Sequence, residues 1–261
     1  MIKFHFLGSC SGTEPMPDMH HQSWLMELNG VNYWFDAGEN CVHRAHTSGI
    51  NVMNTVALFI SHPHIDHIGG LANLFSCIQK LERMYKMQLV RNNTLELFFP
   101  DLKLLESVKN ITFSGGAHNF RYTLNEHTLS DGLLFEDENV RITTLHNRHL
   151  KEDGSNGWHA YSFLIEADGK RIVFSGDVRS ADEMDPLIGD GCDMLIMETG
   201  HHDVQSVMEF AVSRKVKHLR LTHHGRQILE NRTFYERMAS EYCAKHPICV
   251  KLCYDGMVEE F

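Results

Sequence analysis

The 261-residue sequence predicts an α/β fold, on three observations. Short apolar runs of strand length, such as Val56–Ile60 and Asp193–Met197, alternate with longer stretches whose apolar residues return at helical spacing, such as Leu71 to about Met84. The runs are uniformly apolar, as strands covered on both faces are. Several of them stop abruptly at histidine or carboxylate, and open α/β sheets carry their sites past the carboxyl ends of strands.

Along the chain, Ile2–Leu7 reads as a strand and Gly8-Ser9-Cys10-Ser11-Gly12-Thr13 as a loop of small residues that lets backbone approach a ligand. Ser23–Leu28 and Val31–Asp36 flank Asn29-Gly30, a two-residue hairpin signal. Next, residues 56–70 break from Val-Ala-Leu-Phe-Ile into a loop holding His62, His64, Asp66 and His67. Imidazole and carboxylate with no thiol suit zinc, manganese or iron and argue against a closed structural zinc site. His62 and His64 can reach one ion from a tight turn, whereas Asp66 and His67 point toward a second, so two metals are implied. The bland alternative is a polar loop rich in histidine.

Leu71, Leu74, Phe75, Ile78 and Leu81 place the following helix against the sheet. Leu95–Phe99 is a further strand, Pro100 opens a helix to about Val108, and Phe120–Leu124 and Val140–Thr144 are short strands. His118 and His127 fall here as surface or core histidines. The segment Arg141 to His149 ends in two histidines, and a loop, Lys151–Gly157, leads to the strand Tyr161–Ala167. A hairpin at Asp168-Gly169 leads to Arg171–Ser175, which stops at Gly176-Asp177, where the carboxylate can bridge two ions. Asp193–Met197 is followed by Glu198-Thr199-Gly200-His201-His202, and Asp203 caps a helix, Val204–Ser213. His218–Thr222 delivers His223-His224, and a helix of about Ile228–Lys245 and a strand, Ile248–Cys253, close the fold.

Bulk composition agrees with one domain, 1–261: 43% apolar residues suffice for a core at this length. Seven scattered cysteines without a Cys-x-x-Cys suggest reduced thiols and a cytoplasmic setting. No apolar stretch approaches the ~18 residues of a membrane helix, so no membrane partner is expected. A formal charge of −10 disfavours broad, sequence-independent nucleic-acid binding. Of nineteen histidines most must be bystanders, including the wall candidates His20, His21, His202 and His224.

His62-Pro63-His64-Ile65-Asp66-His67 followed by Gly69-Gly70 resembles the signature loop of the metallo-β-lactamase superfamily. The Gly8–Thr13 opening is similar to that of its ribonuclease Z branch, and Tyr254-Asp255-Gly256-Met257 resembles the end of its cyclic phosphodiesterases. The resemblance implies a four-layer αββα sandwich of two mixed β-sheets flanked by helices. It assigns Asp36, in Phe35-Asp36-Ala37-Gly38, to supporting the metal loop. It also implies that metal one takes His62, His64 and His149 (chosen over His146 by counting from the strand), and that metal two takes Asp66, His67 and His223, with Asp177 between. Two divalent ions follow, zinc first, with manganese or iron as options.

The implied activity is hydrolysis of a phosphodiester by a hydroxide bridging the ions. His201 and Asp66 of metal two are the catalytic residues it implies: His201 gives the leaving alkoxide its proton, and Glu198 orients it. The substrate would be a small cyclic nucleotide-like molecule or an RNA 3′ end, and relatives of this branch are often dimers. Between His149 and Asp177 there is no room for the Gly/Pro-rich arm that grips transfer RNA in long ribonucleases Z. The cysteine-rich metal site of the phosphonate-pathway enzymes is likewise missing, with only Cys10 near the start. A thioester or lactone hydrolase on the same fold, which would not need His201, is the alternative, and a non-enzymatic metal-binding module a remote one.

Overall fold

The structure, a computed structural model, describes residues 1–12, 16–114, 116, 119–150 and 158–261. It falls into two compact units: Met1–Gly8, Pro15–Leu129 and Asp255–Phe261 form the first, and Ser9–Glu14 and Ser130–Tyr254 the second.

The first unit contains β1 (Lys3–Gly8), β2 (Ser23–Leu28), β3 (Val31–Phe35), α1 (Cys41–Thr47), β4 (Thr55–Phe59), α2 (Ile65–Ile68), α3 (Leu71–Tyr85), β5 (Thr94–Phe98), α4 (Leu102–Phe113), β6 (Thr123–His127) and a terminal strand, Val258–Glu260. In its sheet the terminal strand is followed by β1, β2, β3, β4, β5 and β6. Pairing is antiparallel as far as β3 and parallel beyond it. Asn29 and Gly30 both have positive φ, 52° and 80°, as the type I′ turn of a two-residue hairpin requires.

Because strand side chains alternate between faces, one residue in two builds each side of this sheet. Trp24, Phe35, Phe59, Phe98 and His127 are cross-strand neighbours on one face. Their rings stack at 4.3, 5.1, 4.9 and 4.7 Å. Each such pair adds roughly 0.5–1.5 kcal/mol beyond its burial. The residues one step along, Leu25, Trp34, Leu58 and Leu97, join Leu71, Leu74, Phe75 and Ile78 of α3 in the helix-covered core.

The second unit contains β7 (Gly132–Glu136), β8 (Val140–His146), β9 (Tyr161–Ala167), β10 (Lys170–Phe174), α5 (Asp185–Ile188), β11 (Met194–Thr199), α6 (Val204–Ser213), β12 (His218–His224), α7 (Arg226–Glu230), α8 (Arg232–Cys243) and β13 (Cys249–Leu252). Its sheet runs in the order of the chain from β7 to β13. Pairing is antiparallel from β7 to β10 and parallel from β10 to β13. Val173, Leu195, Met197, Leu219 and Leu221 pack with Val204, Val207, Met208 and Ala211 of α6. Asp203 caps that helix, accepting the Ser206 N–H at 2.9 Å.

Four expectations shift. The helix placed from Pro100 begins at Leu102 and runs on to Phe113, because Asp101 is the cap, accepting the Lys103 and Leu104 N–H groups. The strand expected over Phe120–Leu124 lies at Thr123–His127, which makes His127 the end of the aromatic ladder. The single helix expected over Ile228–Lys245 is two helices: the Asn231 amide binds the Gln227 carbonyl at 2.9 Å and ends α7. β7, α1 and the terminal strand were not foreseen; they are short and rich in polar residues or half exposed. Lys151–Gly157, His118 and Thr13 lie outside the described residues. Among the described residues no helix is long and apolar enough to cross a membrane, and no disulfide joins the seven cysteines.

Candidate metal-binding residues in each unit

In the first unit the donors follow β4. His64 is the N-cap residue of α2, so the first turn of that helix presents Asp66 and His67. His62 and His67 are fully buried, Asp66 is nearly so, and His64 is exposed. His62 Nε2 lies 3.0 Å from His64 Nδ1, and His67 Nε2 lies 3.5 Å from Asp66 Oδ2.

Asp36, just past β3 and completely buried, organises this loop. One carboxylate oxygen accepts the Ser61 N–H at 2.7 Å; the other accepts the Ser61 hydroxyl at 2.9 Å and His67 Nδ1–H at 2.8 Å. A carboxylate only accepts, so Nδ1 of His67 carries the hydrogen and Nε2 keeps its lone pair. The Ser61 hydroxyl, having donated to Asp36, accepts from His62 Nδ1 at 3.1 Å, which fixes His62 in the same tautomer. Both rings therefore present the Nε2 lone pair that a divalent cation requires, held by the partner shell typical of metal-ligating histidine. Backbone ties close the loop: Ala37 N–H donates to His67 O at 2.7 Å, and Gly70 N–H to Ala37 O at 2.8 Å. A Cβ on Gly70 would lie 2.3 Å from the Gly38 carbonyl oxygen, so only glycine allows this approach.

His20 and His21 face Glu39 instead, at 3.6 and 2.5 Å. Burial would raise the Glu39 pKa, but its bonds with His21 hold it below the usual range.

In the second unit the donors follow β8, β10 and β11 and, for His223, end β12. Asp177 follows Gly176, is buried, and its Oδ2 lies 3.4 Å from His223 Nε2, 3.7 Å from His149 Nε2 and 3.8 Å from His201 Nδ1. One ligating atom each of Asp177, His201 and His223 lies within 4.8 Å of the others. His146 turns elsewhere: its Nδ1 bonds the Asp131 carboxylate at 2.7 Å and its ring stacks on Trp158. His223 has φ 51°, and a Cβ on Gly200 would come within 2.7 Å of its ring, so the glycine makes room for the imidazole.

Glu198, at the end of β11 and almost fully buried, is the counterpart of Asp36. Its carboxylate accepts the His201 N–H at 3.0 Å and His201 Nδ1–H at 3.0 Å, and lies 3.4 Å from His202 Nε2. Burial alone would raise its pKa; the hydrogen bonds from His201 and the nearby imidazoles of His202 and His223 outweigh burial and hold it below the usual carboxylate range. The bond to Glu198 in turn raises the pKa of His201 against the opposing effect of burial. About half of the His201 side chain is open to solvent, so a fixed imidazole presents its free edge outward. His202 also bonds the Val178 carbonyl at 3.1 Å and serves as a tie. His224 is another tie: Nε2–H donates to Cys253 O at 3.1 Å, Nδ1 meets the Thr199 hydroxyl at 2.8 Å, and burial pushes its pKa down to about 3. Its backbone pairs with Ser9 and Ser11, which holds the glycine-rich opening against the end of β12.

Sequence reasoning missed three contributors. Ser61 sets the His62 tautomer, Ser175 Oγ accepts the Glu198 N–H at 3.1 Å, and Cys10 bridges to His224. For Ser61 a signal existed, a hydroxyl directly before the histidine motif. A largely apolar cavity of about 560 Å³ between α1 and α3 includes none of these donors.

The sequence matches the family model of the Anti-Pycsar protein Apyc1 over residues 2–237. It is 24% identical to ribonuclease Z of Thermoplasma acidophilum, over 92% of each chain. Among solved structures it is similar to the metallo-β-lactamase fold protein YhfI from Bacillus subtilis, with a TM-score of 0.72 at 17% identity, covering 100% of this chain and 99% of that one. It is also similar to the short form of human tRNase Z, with a TM-score of 0.72 at 19% identity, covering 99% and 98%. The fold, two mixed sheets flanked by helices, is the metallo-β-lactamase fold, and its His/Asp donors suit a divalent metal.

Proposed function

The chain belongs to the family of the Anti-Pycsar protein Apyc1, and on that premise we propose that it is a metal-dependent phosphodiesterase acting on a small cyclic nucleotide, with residues 1–261 as one catalytic domain. The family is a cyclic-nucleotide-degrading one. A formal charge of −10 favours such a substrate over a long polyanion, whose binding rests on many cationic contacts.

His62, His64 and His149 would hold one ion, Asp66, His67 and His223 a second, with Asp177 shared. Zinc fits this nitrogen and oxygen set, as do manganese and iron. When bound, the ions supply activated water and neutralise charge on the phosphoryl oxygens. The chain's own part is to orient and to move a proton. Asp36 and Ser61 fix the tautomers of His67 and His62. Glu198 holds His201 by Nδ1 so that its free edge can protonate the leaving oxygen. In the reaction the bond from phosphorus to the ribose oxygen breaks, a bond from water oxygen to phosphorus forms, and His201 gives its proton to the departing alkoxide.

The observation that carries this reading is the Glu198–His201 pair: a buried carboxylate holds a half-exposed imidazole 3.8 Å from the Asp177 carboxylate. An alkoxide leaving group needs an acid; a thiolate leaves without one. His201→Ala should leave the metal content unchanged and slow hydrolysis of a cyclic nucleotide by ~10²–10⁴-fold. With nitrophenolate as the leaving group the loss should be far smaller. Equal losses on both substrates would remove the acid role, and no loss on either would favour the thioester and lactone hydrolases.

A further inference from the structure

A cavity of about 400 Å³ opens beside His201, entirely within the second unit. His201, His202, Arg226 and Gln227 line it, and Val204, Ile228 and Tyr235, all nearly buried, supply apolar lining. The Arg226 guanidinium stays partly exposed, and its Nη1 donates to a surface carboxylate, Glu230, at 3.3 Å. Exposed pairs of this kind contribute little and exchange readily for another acceptor.

If His201 protonates the leaving oxygen, whatever that oxygen carries must occupy the space against His201. In a cyclic nucleotide it carries the ribose and base. The cavity suits them: its volume is in the range of small-molecule sites, Val204, Ile228 and Tyr235 offer apolar surface to a ring face, and the polar side chains that make up most of the lining can meet base and sugar edges. We propose that this cavity is the nucleoside subsite and that Arg226 and Gln227 determine nucleotide specificity. The proposal rests on the phosphodiesterase reading above and goes beyond it by naming where the nucleoside sits and which side chains select it.

The test compares a cyclic nucleotide with methyl 4-nitrophenyl phosphate, a diester without a nucleoside, for the metal-loaded wild type, Arg226→Ala and Gln227→Ala. A hydrogen bond from a charged donor is worth ~1.5–3 kcal/mol, or about 10- to 100-fold. Arg226→Ala should therefore raise KM for the cyclic nucleotide by about that factor with kcat little changed, and Gln227→Ala by a smaller one. Both variants should keep the wild-type rate on the aryl diester and the wild-type melting temperature. An unchanged KM, or equal losses on both diesters, would overturn the subsite. So would a wild type that cleaves the aryl diester and no cyclic nucleotide, although the phosphodiesterase reading would survive. A wild type that cleaves neither would remove that reading itself.

Discussion

Asp36 and Glu198 show how a buried carboxylate can set the chemistry of its neighbours without touching substrate. Each is almost fully buried at or just past a strand end; Asp36 accepts one backbone N–H and Glu198 two, and both accept from histidine Nδ1–H. The consequence differs with exposure. His67 is enclosed and keeps a lone pair on Nε2, whereas His201 is half open and, under the proposal above, is the proton donor. At this scale the sequence is least informative, because neighbouring histidines look alike. His223 and His224 are adjacent, yet one faces Asp177 and the other is a neutral strut between Cys253 and Thr199. His146 and His149 divide in the same way, the first on Asp131 and Trp158, the second near Asp177. We therefore expect His149→Ala to weaken metal binding and cost most of the activity, and His146→Ala to cost about 1 kcal/mol of stability with activity nearly intact. Chelator competition and steady-state rates on both variants test this; the reverse pattern would exchange their roles.

Elements are where the sequence speaks clearly. Strand ends at Phe35, Phe59, Phe174 and Thr199 each hand over to a chemistry-bearing residue, and the apolar runs before them were long enough to read. The two glycine hairpins and the Asp203 cap were legible because each depends on local chemistry. What escaped was weakly patterned or tertiary: β7 is a short, half-exposed strand that pairs with its neighbour β8, the terminal strand gains order from β1 at the other end of the chain, and the break at Asn231 turns on one side-chain hydrogen bond. The approach of α3's first turn to the Ala37-Gly38 segment was equally invisible, and it supplies an element-scale prediction. In Gly70→Ala the new methyl would meet the Gly38 and Ala37 carbonyl oxygens, at 2.3 and 3.1 Å, and Cys41 Sγ at 2.8 Å, so backbone must move. Overpacking of this kind costs about 1–3 kcal/mol, which for a chain of this size lowers the melting temperature by roughly 2–12 °C. The shift would also reach Asp36, next to Ala37, so metal affinity should fall with it. A thermal melt and a metal titration of the variant decide; an unchanged melt would mean that the two segments separate without cost.

Taken whole, the molecule repeats a plan that its sequence does not. Each unit's sheet has three antiparallel pairings followed by three parallel ones, and the donors of each lie at or past the carboxyl ends of its strands, those of the second unit following β10 and β11, ending β12 and, for His149, following β8, which runs in the direction of β10 across the antiparallel β9. Parallel strands orient their carboxyl ends alike, so loops that leave them gather on one edge of a sheet. His62, His64, Asp66 and His67 lie in the first unit, and His149, Asp177 and His223 in the second. Under the proposal above, seven donors with one shared carboxylate exceed what a single tetrahedral ion can use. Protein purified without chelator should therefore hold about two divalent ions per chain by elemental analysis. Because binding to the native state alone stabilises it, an ion present at a hundred times its Kd adds about 2.7 kcal/mol. Stripping one such ion should then lower the melting temperature by roughly 5–10 °C, and restoring it should bring the temperature back. A full-occupancy content of one ion would sink the two-ion arrangement. A melting temperature indifferent to chelator would show that these donors hold no resident metal.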